Sequence, residues 1–174
     1  MSGPLWQPSA ERIAATNLVR FMDRVNRQWG LELDDYDRLW AWSVAEKEQF
    51  WTSLWDFCEV IAETRGPRVA VDIDKLPGAR YFPDARLNFA ENLLRPGRRV
   101  VADDSPAIVF RGEGRAMRTL PWSELEQAVS RLAQALRALG LAPGDRVAAY
   151  VPNLPETIVA MLAATSIGAV WSSC

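Results

Sequence analysis

Apolar positions in the first third of the chain recur at helical spacing. Ile13, Leu18, Phe21, Met22, Val25 and Trp29 form a roughly helical stripe that Gly30 closes. Ser43 with Glu46 makes a capping box ahead of a second run, Phe50, Trp51, Leu54, Trp55, Cys58 and Ile61. Two or three short helices are predicted over residues 1–62. Residues 63–105 lose that rhythm and are punctuated by Pro67, Pro77, Gly78, Pro83, Pro96 and Gly97. One short helix fits inside, capped by Asn88 with Glu91 reaching back, carrying Leu93 and Leu94 and stopped by Pro96-Gly97. This stretch reads as a connecting arm lying over the neighbouring domain. Its polar residues Arg80, Arg86, Asn88 and Asn92 could touch a ligand, although such side chains more often satisfy loop carbonyls and helix ends.

Residues 106–174 carry the clearest pattern. Ala107–Arg111 and Ala116–Leu120 flank Gly112-Glu113-Gly114-Arg115, a β-hairpin signal. Ser123 with Glu126 is expected to cap a helix whose apolar face is Leu125, Val129, Leu132, Leu136 and Leu139, and Gly140 ends it. The turn Pro143-Gly144-Asp145 feeds a buried strand, Val147–Val151. Pro152-Asn153-Leu154-Pro155 then opens a helix holding Ile158, Val159, Met161 and Leu162, with Asn153 as a cap and Glu156 as a first-turn charge. A final strand, Ala169–Ser173, follows Gly168. Strand, helix, strand makes the two strands parallel. The expected fold is α/β: a helical N-terminal region, then the incomplete start of a larger domain built from a β-hairpin, a helix and a parallel βαβ unit. Parallel strands need crossovers to cover both faces, so the apolar ending Ala169-Val170-Trp171-Ser172-Ser173-Cys174 reads as a truncation. Its open edges are expected to make the chain self-associate.

Composition narrows the function. A net charge of −2, with scattered and mostly Arg basic residues, lacks the footprint of a nucleic-acid binder. Histidine is absent, which removes the commonest general base and metal ligand. Cys58 and Cys174 stand alone, so neither a zinc site nor a disulfide framework is indicated, and a reducing cytoplasm fits best. The N-terminus lacks the features of a signal peptide, and the most apolar stretch, Thr157–Trp171, falls short of the ~20 residues that span a bilayer. Six of the eight tryptophans, at positions 6, 29, 40, 42, 51 and 55, fall in the first stretch. A stacking surface is one reading; buried area for a small helical layer is the stronger one.

From Leu120 onward the chain resembles the adenylate-forming superfamily of acyl-CoA synthetases, luciferases and nonribosomal adenylation domains. The matching residues are Leu120-Pro121-Trp122-Ser123-Glu124-Leu125, Leu139-Gly140-Leu141-Ala142-Pro143-Gly144-Asp145-Arg146-Val147, Pro152-Asn153-Leu154-Pro155-Glu156, Met161-Leu162-Ala163-Ala164 and Ile167-Gly168-Ala169-Val170. Upstream, Tyr81-Phe82-Pro83-Asp84-Ala85-Arg86-Leu87 is similar to the arm of the acetyl-CoA synthetase branch, and Asn88-Phe89-Ala90-Glu91-Asn92-Leu93-Leu94 is closest to acetoacetyl-CoA synthetases. Leu5-Trp6-Gln7-Pro8 and Phe21-Met22-Asp23-Arg24-Val25-Asn26 fit the same family.

The resemblance implies residues 1–62 as a helical N-terminal region, 63–105 as a connecting arm and 106–174 as the first part of an AMP-binding domain. It implies an acid–thiol ligase that joins acetoacetate to ATP, releases pyrophosphate and passes the acyl group to coenzyme A, with Mg²⁺ stabilising charge on phosphorus. A ligase for acetate or propionate is the nearest rival, and a non-catalytic helical and α/β binding module is a rival of another class. The implied partners are small molecules, with no nucleic acid and no membrane. No catalytic, cofactor-binding or metal-binding residue is assigned. The family's phosphate loop and catalytic lysine have no counterpart here, since Gly112-Glu113-Gly114 suits a hairpin and Lys47 and Lys75 sit in no matching motif.

Overall fold

A computed structural model describes residues 5–95, 102, 104–114 and 116–174. Two compact units emerge: Met1–Val60 with Arg65–Asp84, and Ile61–Thr64 with Ala85–Cys174.

The first unit holds four helices where two or three were expected: α1 (Ala10–Ala14), α2 (Asn17–Trp29), α3 (Tyr36–Ala45) and α4 (Lys47–Phe57). The extra break comes from local capping. The Thr16 hydroxyl accepts the Val19 N–H at 3.3 Å, so the stripe from Ile13 to Trp29 is cut into α1 and α2. Gly30 ends α2 at φ 66°, a left-handed conformation that suits glycine. The Ser43–Glu46 capping box does not form. Asp35 caps α3 instead, accepting the Arg38 N–H at 2.8 Å, which places Ser43 inside that helix with its hydroxyl donating to the Trp40 carbonyl at 2.7 Å. Helix α4 then begins at Lys47 without a side-chain cap.

Phe21, Met22, Val25, Leu39 and Trp42 form the core of this unit, with Phe50, Leu54 and Phe57 packed against it. Phe21 meets Phe50 and Phe57 edge to face at 5.9 and 5.2 Å between centroids. The tryptophans divide. Trp42 is buried, and Trp51 and Trp55 are half-buried against Tyr81 and Phe82. Trp29 donates to the fully buried Ser53 hydroxyl at 2.8 Å, while Trp6 and Trp40 are exposed. Cys58, expected on the apolar face of α4, is exposed as well. A short antiparallel pair, β1 (Ala70–Val71) and β2 (Arg80–Tyr81), completes the unit. A two-pronged Arg68–Asp84 pair closes its base, one prong being Nε to Oδ2 at 2.7 Å.

The second unit follows the α/β order read from the sequence. It contains α5 (Phe89–Leu94), β3 (Pro106–Phe110), β4 (Arg118–Pro121), α6 (Trp122–Ala138), β5 (Arg146–Ala149), α7 (Pro155–Ser166) and β6 (Val170–Ser173). β3 and β4 pair antiparallel, and β5 and β6 pair parallel from Arg146↔Val170 to Ala149↔Ser173. Its core is Ala90, Leu125, Val129, Ala133, Leu162, Ala163 and Ile167. Asn88 caps α5 as expected, accepting the Glu91 N–H at 3.1 Å, but Glu91 turns to Arg95 at 3.5 Å rather than back to the cap. The stop expected at Pro96-Gly97 and the hairpin residue Arg115 lie outside the described residues.

Two more expectations fail for physical reasons. Helix α6 starts at Trp122, whose N–H donates to the Ser105 carbonyl at 3.1 Å, so Pro121 is the cap and Ser123 with Glu126 lies already inside the helix. The strand read as buried over Val147–Val151 is shorter and alternates exposed with half-buried positions, because among the described residues β5 has only β6 beside it. Tyr150 and Val151 are exposed, as is Leu139 at the end of α6.

Candidate functional site

Ligands in open α/β sheets gather at the carboxyl ends of parallel strands, which here is where β5 runs into α7. Pro155 stands at the first position of α7, where its missing N–H costs little, and it is buried. Leu154, not Asn153, is the N-cap, and no side chain caps the helix. The turn is held from within: the Thr157 hydroxyl donates to the Pro152 carbonyl at 2.7 Å, and the Thr157 N–H to the Leu154 carbonyl at 3.0 Å.

Opposite this turn lies the tip of the β3–β4 hairpin. Together they enclose an open cleft of about 500 Å³ lined by Ile108, Val109, Phe110, Arg111, Gly112, Glu113, Pro152, Asn153, Leu154, Pro155 and Ile158. Its walls mix polar and apolar surface about equally, and its charged and amide side chains are Arg111, Glu113 and Asn153. Behind the cleft, Arg118 of β4 donates to Glu156 in the first turn of α7 at 2.7 Å. That hydrogen bond and the carboxylate charge hold the Arg118 pKa above its ordinary value. A second, more apolar cleft of about 320 Å³ lies among Leu132 and Leu136 of α6, Val147 and Ala149 of β5, Ala160 of α7 and Trp171 of β6.

These clefts can shelter an apolar or amphipathic group, but they assemble no acid–base pair. Phosphate and Mg²⁺ do not fit the residues present. The turn into α7 is Pro-Asn-Leu-Pro, with no glycine to admit a phosphate to the helix amides, and Gly114 serves the hairpin at φ 64°. Among the described residues no three His, Cys, Asp or Glu side chains converge on one point. Lys47 and Lys75 are tied on the surface to Asp74 at 3.1 Å and Asp72 at 2.9 Å.

Of the polar residues of the arm, Asn88, Asn92 and Arg86 find structural partners, and Arg80 stands exposed on β2. Asn88 donates from Nδ2 to the Thr165 and Ser166 carbonyls at 3.0 and 3.3 Å, closing the carboxyl end of α7. Asn92 accepts the Ile61 N–H at 2.8 Å and donates to the Ile61 and Asn88 carbonyls at 2.9 Å each. Arg86 pairs with Glu63 at 3.0 Å. Sequence reading found the type of role these residues play but not the partners, which lie up to 78 positions away. The Arg118–Glu156 pair spans 38 positions and carries no local signal.

The family model for AMP-binding enzymes matches residues 98–174, and that for the acetyl-coenzyme A synthetase N-terminus matches residues 36–93. Over 98% of its length the chain is 48% identical to the acetoacetyl-coenzyme A synthetase of Rhizobium meliloti, covering 25% of that protein. It is 37% identical to the malonamoyl-CoA synthetase of Penicillium aethiopicum over 97% of its length, covering 23% of that protein. The acetoacetyl-CoA synthetase structure from Streptomyces lividans superposes on 99% of the chain with a TM-score of 0.86 at 40% identity, covering 26% of that structure's chain. The chain thus spans about a quarter of the length of the curated relatives it matches.

Proposed function

We propose that this chain, which matches the AMP-binding enzyme model over residues 98–174 and acetoacetyl-CoA synthetases along nearly its whole length, is a member of that family and forms the amino-terminal part of an ATP-dependent acid–thiol ligase. The ligase activates acetoacetate as its adenylate and transfers the acetoacetyl group to coenzyme A. The observation that carries this reading is the 48% identity over 98% of the chain. The likeness to a malonamoyl-CoA synthetase points the same way, since malonamate and acetoacetate are near-isosteric short acids with a carbonyl at the β position.

ATP and coenzyme A are the co-substrates of such a reaction, and Mg²⁺ is the cofactor that would stabilise charge on the reacting phosphate. No step is assigned to residues of this chain, whose clefts lack the donors for those groups. Its share is scaffolding: the β5–α7–β6 unit offers a sheet edge and an apolar cleft on which further layers can build. The open β5–β6 edges are also where the isolated chain would self-associate. Both cysteines are free thiols, as a reducing cytoplasm would keep them, and that is the compartment we propose for the ligase.

Two assays test the reading. The isolated chain should show no acetoacetate-dependent exchange of pyrophosphate with ATP. A chimera in which residues 5–174 replace the matching quarter of the Rhizobium meliloti enzyme should acylate coenzyme A with acetoacetate in preference to acetate. Exchange by the isolated chain, or a folded chimera that prefers acetate, would overturn the proposal.

A further inference from the structure

We propose that the helical unit pairs with a second copy of itself through an apolar face formed by α1, the start of α2 and α3. Tyr36, Trp40 and Val44 are spaced four apart on α3 and therefore stand on one side of that helix. They form a ridge on the outside of a unit whose core is already closed around Val25, Leu39 and Trp42. Beside the ridge runs a groove of about 510 Å³ walled by Trp6, Ile13 and Leu18, with Tyr36 as the border common to both. These six side chains are between 42% and 67% exposed.

The exposed area matches the need of a dimer. Three aromatic side chains of about 200 Å² each, roughly six-tenths exposed, present ~360 Å². Three aliphatic ones, about half exposed, add roughly 150 Å² on the scale implied by their burial energies. The resulting ~500 Å² lies near the upper end for the largest apolar patch of a monomer. A standard interface takes about 800 Å² from each partner, of which about 65% is apolar in homodimers, or ~520 Å². A ridge and a groove side by side on one face are self-complementary under a two-fold axis, the ridge of each copy entering the groove of the other. That arrangement selects a second copy over an unrelated partner, and it closes at two. It does not depend on the ligase reading.

Sedimentation velocity of the 174-residue chain, with three variants, tests this. The wild type should form a species of twice the monomer mass, beside any larger species grown through the sheet edge. Trp40→Glu and Val44→Glu should each weaken the pairing at least about tenfold, as expected of a central aromatic or aliphatic contact. Both positions are exposed, so far-UV helicity and melting should stay as in the wild type. Val170→Lys, on the exposed start of β6, should leave the dimer intact while removing any larger species that grow through the sheet edge. A monomer at roughly 100 μM, a pairing weaker than a specific interface requires, would overturn the proposal. So would a dimer that persists in both α3 variants, or one that only Val170→Lys abolishes.

Discussion

Asn88 joins two contributions that substitution can separate. Its Oδ1 caps α5, and its Nδ2 reaches the last carbonyls of α7. Losing an N-cap costs about 1 kcal/mol. Losing a hydrogen bond to carbonyls that are left partly buried costs about another 1 kcal/mol net. Asn88→Ala should therefore destabilise the second unit by about 2 kcal/mol, and Asn88→Ser, which keeps a capping oxygen but not the reach, by about 1 kcal/mol. Asn88→Asp keeps the cap as well, yet it sets a carboxylate against the Thr165 and Ser166 carbonyls, so it should cost more than serine. Urea unfolding is the assay. With a slope of roughly 2 kcal/mol per M, the alanine variant should lose about 1 M in midpoint. Far-UV circular dichroism is the right probe, because six of the eight tryptophans lie at positions 6 to 55 and fluorescence would mostly report the first unit. Equal midpoints for alanine and serine would show that the reach to α7 contributes nothing and would refute the reasoning.

Three further outcomes are expected. Gly66→Ala should cost more than about 2 kcal/mol, because φ is +74° and an added Cβ would lie 2.3 Å from that of Asp84; Gly30→Ala, at φ +66° with open space around it, should cost only about 1 kcal/mol, as paired melts would read. Arg68 holds the Asp84 carboxyl below its ordinary pKa, mainly through their hydrogen bond, so this pair stabilises the fold above about pH 4 and the contribution is lost as pH falls through the lowered value. Asp84→Asn should flatten that acid-side slope, and an unchanged pH profile would count against the pair. Leu125→Ala, at a buried core position of α6, should cost about 2–5 kcal/mol in the second unit and leave the melt of the first unchanged.

How much of this was legible depends on the range of the interaction. The order hairpin, helix, strand, helix, strand follows from periodicity and turn residues, which act over a few positions, and β3 to β6 stand where those signals put them. Capping was read less well for the same local reason. Ser43–Glu46 and Ser123–Glu126 have the right spacing, but a helix takes the first start that satisfies its N–H groups, and Asp35 and the Trp122–Ser105 bond come earlier. Asn88 held because it serves two helix ends at once.

Burial was the harder quantity, since it depends on what a face meets. Trp40 and Trp42 are two residues apart on one helix, so their side chains point to nearly opposite sides. Trp42 meets Phe50 and is buried, whereas Trp40 is more than half exposed. Composition gives both the same expectation, core area for a small helical layer, and only the packing of α4 against α3 decides between them. The same holds at β5, where an apolar run reads as a buried strand until the number of neighbouring strands is known. The candidate clefts are blind spots of this kind: one is walled by the hairpin and the turn into α7, the other by α6, β5, α7 and β6, and no window along the sequence contains a whole wall. What a local pattern can supply is the identity of each element, and what makes a site is the meeting of several.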